Sequence, residues 1–178
     1  MNILLISLGI FFGCVALIFI IALFSRKGYS IEREIVIDKS GNEVFQYLRH
    51  IKNQDKFSVW VMKDRDMKKE FRGNDGTVGF VYAWEGNKQA GKGEQEIKSI
   101  EEGKYLGLEV RFEKPFVAVA STPFTVEAIS PQQSRVIWGM TSSMNYPMNI
   151  MLLLMNMEKL LGKDMETSLK TLKSILEK

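Results

Sequence analysis

Residues Ile3 to Phe24 form an uninterrupted run of 22 residues with no charge and no proline, and Ser7 supplies its one hydroxyl. At about 1.5 Å per residue such a helix measures roughly 33 Å, enough for a bilayer core of about 30 Å. Phe11, Phe12, Leu17, Phe19 and Phe24 point in all directions around it, and a helix apolar all round is suited to lipid or to a very large core. Only Met1 and Asn2 precede the run, and Phe24-Ser25-Arg26-Lys27 closes it without an Ala-x-Ala pattern, so an uncleaved anchor is expected over a secretory signal. Arg26, Lys27 and Arg33 follow the run, whereas no basic side chain precedes it. The positive-inside rule then predicts a single-pass membrane protein held through residues 3–24, its carboxyl-terminal domain in the cytoplasm.

This divides the chain into an anchor (1–25), a short linker (26–30) in which Gly28 and Ser30 form a flexible joint, and a domain (31–178). About 150 residues suffice for one core. Net charge is +3, and basic residues alternate with acidic ones, as in Lys68-Lys69-Glu70. No basic stripe with interleaved aromatics runs along the chain, so no nucleic-acid partner is expected. Cys14, the one cysteine, falls inside the apolar run and excludes an internal disulfide.

Ile31 to Asp38 alternates as a half-buried strand. Ser40-Gly41-Asn42-Glu43 fits a capping box, and Val44, Phe45, Leu48 and Ile51 follow at helical spacing. Lys52 to Val61 reads as a second short helix or turn. From Asp66 the period becomes two. Val78, Phe80, Tyr82 and Trp84 share one face, as do Gly91, Gly93, Gln95 and Ile97, and then Leu106, Leu108, Val110 and Phe112. Phe116 to Ile129 is one longer strand interrupted near Pro123. The last strand carries Val136, Trp138, Met140, Ser142 and Met144 on one side. Short turns between successive strands predict an antiparallel meander. Pro147 suits a first helical turn, and the stripe Ile150, Leu154, Met157, Leu161, Met165, Leu169, Leu172 and Leu176 predicts one helix running to the end of the chain.

The expected class is α+β: a curved antiparallel sheet wrapped around a long terminal helix, the helix-grip order, preceded by a transmembrane helix. Asp66-Met67-Lys68-Lys69, Gly76-Thr77-Val78-Gly79, Trp84-Glu85-Gly86-Asn87, Gly91-Lys92-Gly93-Glu94, Lys114-Pro115-Phe116 and Gly162-Lys163-Asp164 resemble the SRPBCC superfamily. Within it they look like the bacterial polyketide cyclase/dehydrase-like, START/Bet v 1-like branch. The resemblance spans about residues 30–178 and implies a hydrophobic cavity between sheet and helix. It implies no single activity, because fold alone does not give function.

Six of the ten methionines lie between Met140 and Met157. Such a cluster either fills an irregular core or reshapes around apolar guests. The expected ligand-contacting set is Phe80, Tyr82, Trp84, Leu108, Val110, Phe112, Trp138, Met140, Met144, Met148, Met151 and Met155, with core packing as the competing role for each. Gly91 and Gly93 either leave space or mark a bulge. His50 is the one histidine and has no evident assistant, and zinc sites built from several Cys and His are excluded by count. The pairs Glu94, Glu96 and Asp64, Asp66 fall on segments expected to face water. No catalytic residue, metal or cofactor is nominated. The expected function is noncatalytic binding of an apolar small molecule or lipid. A cyclase or dehydratase using Tyr82 or a buried carboxylate, and a membrane-associated interaction module, are the alternatives.

Overall fold

In the computed structural model, which describes residues 3–64 and 66–178, helix α1 (Ile3–Phe24) leads directly into strand β1 (Gly28–Ile37). Most of α1 stands clear of the domain: Phe11 and Phe12 are exposed, while Ala22 in the last turn is fully buried. The expected flexible joint at Gly28 and Ser30 is part of the sheet instead. Gly28 pairs with Ser143 and Ser30 with Thr141, so ladder hydrogen bonding begins three residues before the alternation of apolar side chains does.

Helix α2 (Gly41–Arg49) starts as its sequence predicts: the Ser40 side chain accepts from the Glu43 amide and the Glu43 carboxylate returns the contact. Two single-turn helices follow, α3 (Gln54–Phe57) and α4 (Val59–Met62), which together clasp the terminal helix. Strands β2 (Lys68–Arg72), β3 (Val81–Glu85), β4 (Lys92–Glu101) and β5 (Tyr105–Lys114) form an antiparallel meander. Val78, expected on the inner face of β3, lies in the preceding turn and is 60% exposed. Strands β6 (Ala118–Ser121) and β7 (Phe124–Ser130) occupy one lane between β5 and β8 (Gln133–Ser143), split at Thr122-Pro123 as expected. The Thr122 amide still reaches the Leu108 carbonyl (2.8 Å) and the Gly139 amide the Pro123 carbonyl (2.9 Å), so the lane stays closed across the break. The strand order β1-β8-β6-β5-β4-β3-β2 bends this eight-stranded sheet around its core.

One helix from Pro147 to the end was expected; the chain makes two. A 3₁₀ turn (Met148–Ile150) and the short helix α5 (Met151–Leu154) come first, then Met155 turns extended, and α6 runs from Met157 to Leu176. The physical reason is Asn156. Its side chain accepts from the Lys159 amide at 2.9 Å, satisfying a donor that a continuous helix would have bonded internally. Helix α6 packs along β1. Arg33 lies across Gly162, where any Cβ would collide with the guanidinium, and reaches Glu166 at 2.7 Å. From the other side, Ser168 accepts from the Val59 amide (3.0 Å) and Asp164 from the Trp60 indole (3.0 Å).

Candidate functional site

The space between sheet and α6 is not filled. A cavity of about 270 Å³ remains, walled mostly by apolar side chains. Tyr82 and Trp84 of β3, Val110 and Phe112 of β5, and Trp138 and Met140 of β8 line it, so six of the twelve expected residues meet there. The period-two pattern carries them to one face. Trp138 is held between Phe124 (rings stacked at 4.8 Å) and Trp60 (5.2 Å), which fixes the inner wall.

The other six lie off the wall. Phe80 and Leu108 are buried in the packed core below it. Met144 and Met155 pack at the margin of that core, Met151 is half-buried, and Met148 is 51% exposed. The break at Met155-Asn156 is the cause: it directs the segment 148–154 toward the end of α1 instead of along the sheet. The methionine cluster thus divides, Met140 and Met157 facing the cavity.

Several lining residues escaped the sequence reading. Tyr29 begins the wall in β1, Val61 and Met67 close it near α4, and Leu161 covers it from α6. Gln54, Ser58, Gln95 and Thr122 bring polar groups into the same space, and all four are buried. A signal existed for three of them. Gln95 stands in the inward phase between Gly93 and Ile97, and Gln54 and Ser58 are four residues apart on the helical segment that buries Phe57.

The mouth can be placed by register. Gln89, Lys114 and Pro115 are the exposed lining residues. Lys114 pairs with Lys92, and Phe112 with Ala118; Ala120 pairs with Ser142, which pairs with Tyr29. Following those rows, Lys114 and Pro115 lie at the end of the sheet where the chain arrives from α1. Thr122 and Trp138 lie farther in. The cavity therefore has its opening beside the α1 exit and its floor toward the middle of the sheet.

Among the described residues, Tyr82 is the one ionisable lining group with a charged partner. Its hydroxyl donates to Asp55 Oδ1 at 2.8 Å, and Lys69 holds Asp55 Oδ2 at 2.7 Å. Burial first, then the hydrogen bond and charge of Asp55, push the phenol far above its ordinary value. It stays protonated, with its proton committed to Asp55. The carboxylates Glu94 and Glu96 point away from the cavity into an ion-pair network with Arg111. His50 is half-exposed, 3.8 Å from Asp75.

A curved antiparallel sheet closed over a long carboxyl-terminal helix, with a cavity between them, is the helix-grip fold of Bet v 1-like proteins. Comparison with solved structures bears this out. The chain resembles norcoclaurine synthase from Thalictrum flavum, crystallised with dopamine and hydroxybenzaldehyde (TM-score 0.62, 13% identity, 89% of this chain and 92% of that one). It also resembles Mll3558 from Rhizobium loti (0.61, 12%, 83% and 96%) and Ara h 8.0201 (0.57, 13%, 84% and 97%). At these identities the likeness establishes the fold. No protein-family model and no curated protein sequence matches the chain.

Proposed function

We propose that this is a membrane-held, noncatalytic binding protein of the polyketide cyclase-like bacterial branch, carrying an apolar small molecule in its internal cavity. The observation that carries the reading is the cavity itself, left open where a purely structural core would close. A cavity of about 270 Å³ suits a single short chain or a small ring system better than a whole two-chain lipid. Burial of the guest drives binding at about 25 cal/mol per Å², before ordering costs.

Membrane attachment through α1 is supported by its length and composition and by the low burial of its apolar window. Exposed apolar side chains gather at the same end: Phe116 and Val117 in the β5–β6 turn, and Tyr146, Met148, Leu153 and Leu154 after β8. These side chains support a mouth lying beside the bilayer surface, and Arg26 and Lys27 after the span support the cytoplasmic side. Against an acid–base role for Tyr82 stands its hydroxyl, already donated to Asp55 at 2.8 Å and held protonated by burial and that contact.

The test is native mass spectrometry of the full chain released from lipid nanodiscs. An apolar guest of the expected size should accompany the wild type and be absent from Met140→Glu, which puts a carboxylate on the wall. A wild-type chain free of any guest under all lipid compositions would overturn the reading.

A further inference from the structure

Three residues that line the cavity each carry a buried polar atom with no hydrogen-bond partner among the described residues: Gln54 Nε2, Thr122 Oγ1 and Trp138 Nε1. The residues are 6%, 1% and 2% exposed. They come from three separate elements, α3, the β6–β7 break and β8, so no single local irregularity accounts for them. All three can donate. The indole N–H and the amide N–H₂ do nothing else, and a hydroxyl can turn to do so. Buried donors left unpaired are unfavourable, and native proteins seldom keep them without a purpose.

We infer that these atoms form a polar subsite at the cavity floor that receives an uncharged oxygen acceptor, a ketone, ester or alcohol, at the leading end of the guest. The inference rests on the carrier reading above and gives that guest a chemical class. The charge pattern selects the neutral form. Lys114 is the cation on the lining and sits at the mouth, whereas Lys69 is already paired with Asp55 behind Tyr82. A carboxylate at the floor would lie buried without a counter-charge, and close to the Asp55 anion, which is a costly arrangement. Hydrocarbon alone would leave three donors unmet.

The experiment uses the full chain in nanodiscs and three probes, methyl hexyl ketone, nonane and octanoate, with partition into empty nanodiscs subtracted. The wild type should bind the ketone about tenfold or more tightly than nonane, since a satisfied hydrogen bond is worth about that factor. In Gln54→Leu/Thr122→Val the ratio should fall toward unity while nonane is retained, which also reports that the variant has folded. Isotope-edited infrared spectra of the wild type give a second readout independent of any variant. The bound ketone carbonyl should absorb at lower wavenumber than in lipid, and an unshifted band overturns the subsite. Equal binding of ketone and nonane by the wild type overturns it too, the floor then being served by water, and leaves the carrier reading standing. Preference for octanoate overturns the neutral assignment. Binding of none of the three removes the subsite and the carrier reading together.

Discussion

Gly93 shows how one residue shapes the cavity. A Cβ there would sit 2.5 Å from the Arg111 carbonyl oxygen and 2.9 Å from the Trp84 ring, so only hydrogen fits between sheet backbone and indole. The β4–β5 register also shifts at Lys92/Gly93. Of the two alternatives the sequence left, space for a ligand or the helix and a bulge, the register shift marks the bulge, and the room at Gly93 is taken by the Trp84 ring. We expect Gly93→Val to displace Trp84, eliminate guest retention, and destabilise the fold by about 1–3 kcal/mol. Thermal unfolding and guest retention measured on one sample would check both. At this scale the sequence was partly readable: alternation carried Tyr82, Val110 and Met140 to the wall. Thr122 was not readable as a wall residue, because its position depends on how the Pro123 break and α3 meet across the fold.

Among elements, the β4–β5 pair carries the densest charge pattern. Arg111 contacts Glu94, Glu96 and Glu109, and Arg72 joins through Glu94. Hydrogen bonds from Arg111 are the leading cause holding the Glu94 and Glu96 carboxyls below their ordinary value of 4.5. A carboxylate whose folded value is depressed adds stability above its unfolded value and loses it as pH falls through the folded one. Arg111→Met should therefore lower stability by on the order of 1 kcal/mol at neutral pH, a modest figure because the network is solvent-screened. The difference between the two proteins should shrink progressively below about pH 4.5, and thermal melts across pH 3–7 would follow it. A gap that stays constant into acid would contradict the assignment. The strands themselves were legible because a two-residue period survives in most of them. The helix break was not, because the apolar stripe from Ile150 to Leu161 continues across it and Asn156 is its only local mark.

For the whole molecule, the central question is how α1 is joined to the domain. Asn149 is fully buried and donates to the Ala22 carbonyl at 2.6 Å and the Ser25 carbonyl at 3.3 Å, while Arg26 reaches the Leu152 carbonyl at 2.9 Å. The Phe19 and Tyr146 rings approach to 6.2 Å. The Ala22 carbonyl in the last turn of α1 and the Ser25 carbonyl just after it are thus bonded to the turn before α5. We expect Asn149→Leu to loosen the helix without unfolding the sheet. Spin labels on the natural Cys14 and on Lys170→Cys, in nanodiscs, should give a narrow distance distribution in the wild-type background and a broad one in the variant. Equal widths would show that the contact orients nothing. The sequence pointed to a joint here; a single asparagine far along the chain supplies a fastening, and neither composition nor period marks that pairing.

Among the described residues, the exposed lining side chains Gln89, Lys114 and Pro115 all stand at one end, so the hollow is shaped as a cup more than a tunnel. Whatever enters must back out along the same line, so the order of arrival fixes orientation: the end that goes in first leaves last. A molecule with a second polar end would keep it at the threshold, within reach of water, without having to turn around inside.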